Sequence, residues 1–81
     1  MSNANLTYIM ERLGTEVMME DAEMVATLAE ELAAEQGDND FDLIDWLNNR
    51  TYDWTELWEA ANGSVTALAK VRTEAGLPVV S

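Results

Sequence analysis

Residues 40–50 read DFDLIDWLNNR. Wound at about 100° per residue, Phe41, Leu43, Ile44, Trp46 and Leu47 cover roughly two-thirds of a helical circumference, and Asp42, Asp45 and Asn49 share the remainder. An ordinary surface helix has a narrower apolar stripe, a little over about 100° wide. A helix as apolar as this one needs neighbours on several sides. The 40–50 helix is therefore expected to be the central one. Acids and aromatics crowd the same stretch and its flank: Asp38, Asp40, Asp42, Asp45, Trp46, Tyr52, Asp53, Trp54, Glu56, Trp58 and Glu59.

Working outward toward the N-terminus, Gly37 closes a helix expected over residues 22–36. Its buried stripe is Val25, Leu28, Ala29 and Leu32, with Glu23, Glu30 and Glu31 opposite. Asp21 would lie on the apolar face of a helix running unbroken from Glu16, so it is read as the cap, with Met18 and Met19 in a turn or an extra half-turn. Asn5 is expected to cap a first helix with Leu6, Ile9, Met10 and Leu13 inward, ended by Gly14. Outward in the other direction, Asp53 and Glu56 have capping-box spacing. They open a helix with Trp54, Leu57, Trp58 and Ala61 inward. Ser64 caps a last helix with Val65, Leu68, Val71 and Ala75 inward, stopped by Gly76 and Pro78. Arg72 falls on the apolar side of that helix, where it either snorkels or pairs with an acid from the acidic half. No stretch alternates with a period of two. The expectation is an all-α domain over residues 1–81, a compact bundle of four or five short helices. Residues 1–4 and 78–81 are expected to fray.

The chain has 81 residues, a single-domain length. It contains no cysteine and no histidine, which excludes disulfides, thiolate nucleophiles and imidazole ligands. No apolar run approaches the roughly 20 residues of a membrane span, and no basic-then-apolar leader opens the chain. A cytoplasmic protein is expected. The balance of 16 acids against 4 bases gives a net charge of −12. Such a surface repels nucleic acid and anionic lipid and attracts basic proteins. The charge is also polarised. Between Glu16 and Glu59 the single base is Arg50, whereas the C-terminal segment carries Lys70 and Arg72 beside Glu74.

Chemistry by catalysis or metal finds little support. Asp38, Asp40 and Asp42 match the first half of a calcium loop, but its glycine and bidentate glutamate positions hold Leu43 and Asn49. Aspartates at a helix start are favourable there without any metal. Carboxylate pairs occur throughout, so no one pair marks an acid–base site. Lys70 reads as an exposed partner of Glu74 one turn on. A core this small leaves little room for a pocket of about 300 Å³ or more. No catalytic residue, metal site or cofactor is expected.

Density decides what the acids can do. A folded chain of this mass exposes about 4,900 Å². An even spread of the net charge gives one per roughly 400 Å², against one per about 100–110 Å² on duplex DNA. If the acids of residues 16–59 cluster on half the surface, the density comes within about a factor of two of a duplex. Glu23, Glu30, Glu31 and Glu35 on one helix, Asp38, Asp42 and Asp45 around the next, and Glu56 and Glu59 beyond are the candidate acidic surface. Trp46 and Tyr52 are candidate aromatic anchors, a residue type enriched at interface hot spots.

In size, charge, cysteine-free composition and its mixture of carboxylates with aromatics, the chain resembles the small acidic inhibitors encoded by phages and mobile elements, the anti-CRISPR proteins and DNA mimics. The resemblance implies non-catalytic blocking of a basic, nucleic-acid-binding surface on a partner protein, with no direct binding of nucleic acid or membrane. It assigns no role to any individual residue. The alternative is a helical interaction module, such as an antitoxin, adaptor or subunit. That module would bind through an apolar patch of Met10, Met18, Met19 and Met24 with Tyr8. An exposed methionine patch is the mark of the second reading, and a continuous carboxylate ridge the mark of the first.

Overall fold

The computed structural model describes residues 3–14, 16–37, 40–48 and 53–79. Its elements are five α-helices: α1 (Asn3–Leu13), α2 (Met19–Gln36), α3 (Leu43–Asn48), α4 (Trp54–Ala61) and α5 (Val65–Glu74). No strand occurs among the described residues. The all-α bundle of short helices is the fold.

Two helices share the middle of the bundle: α2 packs against α1, α3 and α4, and α4 packs against α1, α2 and α5. The expectation that the 40–50 helix would hold this place is corrected. Among the described residues its helical part is the six residues of α3, and its principal neighbour is α2. At about 1.5 Å rise per residue, so short a helix offers under two turns to pack against. Its apolar girdle is still used: Leu43, Trp46 and Leu47 are buried, and Phe41 and Ile44 are half-buried. The helix starts late because Asp42 is the residue that caps it. The Asp42 carboxylate accepts the Asp45 N–H at 3.0 Å, and its carbonyl accepts the Trp46 N–H at 2.8 Å. The expected C-terminal end at Arg50 lies outside the described residues.

Alanines explain how α2 takes three neighbours. Ala22, Ala26, Ala29 and Ala33 are all buried beside Val25 and Leu32, while Leu28 is only half-buried. The inward face is thus rotated from the expected leucine stripe toward the small residues, which let partner helices approach closely. The helix also begins earlier than expected, at Met19. Asp21 is not the cap but the third helical residue, and its carboxylate reaches back to accept the Met18 N–H at 2.9 Å. In that role it satisfies an orphan donor from inside the first turn, so the helix need not start after it. Gly37, left-handed at φ 73°, ends α2 as expected.

The remaining helices follow their sequence signals with a few shifts. α1 includes Asn3 and Ala4, which were expected to fray, and buries Leu6 and Ile9. Asp53 caps α4 through the Thr55 N–H at 3.1 Å, and Ser64 caps α5 through the Ala67 N–H at 3.2 Å. The capping box at α4 is not closed: Glu56 Oε1 is buried without a partner. In α5 the inward residues are Ala67, Val71 and Arg72, with Leu68 and Ala75 half-buried. Val65, expected inward, is 79% exposed. It occupies the first position of the helix, where no neighbouring element covers it.

Arg72 pins α5 to the end of α2. Its guanidinium makes a two-pronged contact with the Glu35 carboxylate at 2.7 and 2.8 Å, and its Nε–H donates to the Pro78 carbonyl at 2.7 Å. Pro78, expected in a frayed tail, is held by this bond. The bonds from Arg72 hold the Glu35 carboxyl below its usual range, its positive charge adds to that, and partial burial opposes it. A depressed folded-state value means a contribution to stability that is present above the ordinary glutamate pKa of 4.5 and lost as pH falls through the lower folded value. The difference in melting midpoint between the wild-type chain and Glu35→Gln should accordingly be constant near neutrality and shrink below about pH 4.5. Thermal melts of both proteins across that range check this. A difference that grew on acidification would contradict the ion pair.

Candidate functional site

The candidate acidic surface divides by what each carboxylate already does. Glu35 is engaged by Arg72, and Asp42 caps α3. Glu56 is half-buried. Asp38 and the candidate anchor Tyr52 lie outside the described residues. Glu23, Glu30, Glu31, Asp45 and Glu59 are exposed. The other candidate anchor, Trp46, is corrected: it is 4% exposed, and its indole N–H donates to Gln36 Oε1 at 2.9 Å. Trp46 is a core residue, because α3 turns the ring into α2 and Gln36 answers its one polar atom.

The bases add little to offset these acids. Arg72 is buried in its contact with Glu35. Arg12 lies over the Trp54 ring at 5.4 Å from the centroid, while Tyr8 meets the same ring edge-on at 6.2 Å. The Tyr8 hydroxyl donates to Asn48 Oδ1 at 2.9 Å, which ties α1 to α3. Lys70 is exposed on α5, and Arg50 is outside the described residues.

On α2 the exposed acids share one side. At about 100° per residue, Glu20, Glu23, Glu30 and Glu31 fall within an arc of about 100°, centred roughly 120° round the helix from the alanine face. This is a ridge of carboxylates along a single helix. Over the whole molecule the surface is 4994 Å², so the mean density stays near one net charge per roughly 400 Å², well below a duplex. Clustering of exposed carboxylates is therefore a local feature of α2. Glu20 was not singled out from the sequence, because the helix was expected to begin after it.

Two open grooves of about 520 Å³ each lie between helices, larger than the small core was expected to leave room for. They are surface features, not core cavities, which is how so small a chain accommodates them. The first runs between α2, α4 and α5. Its floor is Met24, Leu28, Ala60, Ala61 and Leu68, and Glu20, Glu23 and Glu31 stand along it. The second lies between α1 and the start of α2, lined by Thr7, Met10, Glu11, Gly14, Val17 and Met19. Beside it Met18 and Met19 are 62% and 46% exposed. A shallower depression of about 110 Å³ brings Glu56 and Glu59 together with Lys70.

Among the described residues no group of three or more carboxylates converges as a metal site, and no helix is long and apolar enough to cross a membrane. No known protein family, curated protein or solved structure matches the chain.

Proposed function

We propose that this chain is a non-catalytic acidic protein that binds and blocks a basic, nucleic-acid-binding surface of a partner protein, in the manner of anti-CRISPR and DNA-mimic inhibitors. The observation that carries the reading is the ridge of Glu20, Glu23, Glu30 and Glu31 on the outer side of α2. None of these four carboxylates makes a hydrogen bond or ion pair with another described residue, whereas Arg72 is withdrawn into the bundle. Charges left free on a rigid helix cost no reorganisation when a basic partner arrives, and they steer its approach.

The test is calorimetric titration of the captured partner at two salt concentrations, with and without competing duplex. Affinity is expected to fall at least about tenfold between low and high salt, since the attraction is between exposed charges. Duplex should compete. Paired reversals, Glu23→Lys with Glu30→Lys and Glu31→Lys with Asp45→Lys, should weaken binding with helicity intact. Asp42 is left alone because its reversal would remove the α3 cap.

A second reading has its own observation. Met18 and Met19 are exposed beside an apolar groove that Met10 and Val17 also line. This is the feature expected of an interaction module that binds by apolar contact, with the charge serving solubility. Binding that ignores salt and duplex, survives the reversals and is lost with Met18→Ser and Met19→Ser would establish that reading in place of the first.

A further inference from the structure

The groove between α2, α4 and α5 combines two kinds of surface that rarely lie together by accident. Its floor is apolar, and its acids, Glu20, Glu23 and Glu31, all come from α2, with no lysine or arginine among the described residues that line it. Ala60 and Ala61 keep the α4 side low. Met24, 39% exposed, offers an unbranched and adaptable side chain. Charge alone would need no such floor, and a purely apolar site would not be edged by three uncompensated carboxylates.

We infer that this groove receives an amphipathic basic helix of a partner protein, its apolar stripe on the floor and its Lys or Arg residues against Glu20, Glu23 and Glu31. The inference rests on the reading of the partner as basic and adds the element that docks and where. A helix is the fitting occupant for two reasons. The described residues form helices alone, so no strand edge is present among them to pair with an extended peptide. A groove between packed helices instead takes apolar anchors at i, i+3 or i+4, and i+7 from a helix laid into it. The basic residues flanking such a stripe fall on the side of α2 where the three glutamates stand.

The probe is a synthetic fluorescent peptide with a leucine stripe at helical spacing flanked by lysines and arginines. Three comparisons accompany it: a scrambled peptide of the same composition, the same stripe flanked by glutamates, and the full-length chain carrying substitutions. Anisotropy titration should show one-to-one binding to the wild-type chain, weakened about tenfold by scrambling, a loss of one well-placed apolar anchor set. Met24→Gln, which keeps length and helix propensity, should weaken it several-fold. Glu23→Gln with Glu31→Gln should do the same, and Glu16→Gln with Glu74→Gln, which removes equal charge outside both the groove and the α2 ridge, should leave it unchanged. Thr27→Arg, an exposed groove position, should block binding by adding bulk and positive charge. It stands in for Met24→Gln should that variant lose helicity. Equal binding of the scrambled peptide, with every acid pair mattering alike, would overturn the groove while leaving the basic-surface reading intact. Equal binding of the glutamate-flanked peptide would overturn both. No binding of the basic amphipathic peptide would overturn the groove alone, since the titration with the captured partner judges the other reading separately.

Discussion

Leu57→Ala and Leu32→Ala are each expected to cost about 2–5 kcal/mol of folding stability, the range for truncating a buried leucine. Both side chains are almost wholly buried, Leu57 in α4 and Leu32 in α2. The two helices pack on each other, so a cavity at either site lies at the middle of the bundle. In a domain whose total stability falls toward the low end of about 5–15 kcal/mol, such a loss should lower the melting midpoint by about 10 °C or more. Leu47→Ala in α3 should behave similarly, and Ile44→Ala, at a half-buried position, should cost less. Val65→Ala should change stability by no more than about 0.5 kcal/mol, because its side chain already lies in water. Circular dichroism melts of the five variants check the ranking. Wild-type-like melting of Leu57→Ala would place the core elsewhere.

Ala29→Leu is expected to destabilise by about 1–3 kcal/mol or more, although leucine is nearly as good a helix former as alanine. Ala29 has no exposed surface, and it lies on the face of α2 that receives its neighbours. Three added carbons there must push a helix away or force strained rotamers. Ala34→Leu, at an exposed position of the same helix, is the matched control and should be close to neutral. Urea unfolding separates the cases: a lower midpoint with an unchanged slope for Ala29→Leu, and little change for Ala34→Leu. Equal midpoints would mean that α2 is not tightly enclosed.

These two predictions also mark where the sequence was and was not legible. Helix existence was readable, because leucines at helical spacing, Gly37 and Gly76 as stops, and Asp53 and Ser64 as caps are all local signals. The pairing of Arg72 with an acid of the other half was readable as one of two outcomes, the other being a stem that snorkels its charge to water. The hub was not. Large apolar residues draw attention in a sequence, but a helix with several neighbours is better built from alanines, whose burial is silent in any stripe weighted by size. The acidic site was legible in composition and only partly in position. Which carboxylates are free depends on which ones cap a helix or meet an arginine, and that is settled by start positions shifted by two or three residues. Asp42 and Glu35 leave the free set for those reasons, and Glu20 enters it.

The way the helices pair has a consequence for how fast this chain folds. Neighbours in sequence make the broadest contacts, α1 with α2 and α4 with α5, so two helical hairpins can form from local encounters. What joins them spans far more chain: Glu35 reaches Arg72 across 37 residues, and Gln36 reaches the Ala75 carbonyl across 39. A topology dominated by local contacts folds on the microsecond-to-millisecond scale. The long-range clasp at the ends of α2 and α5 is then expected to close late, after the barrier has been crossed. Loosening it should speed unfolding and leave the folding rate nearly unchanged. The clasp acts as a latch on the lifetime of the folded state, set by one arginine near the C-terminal end of α5.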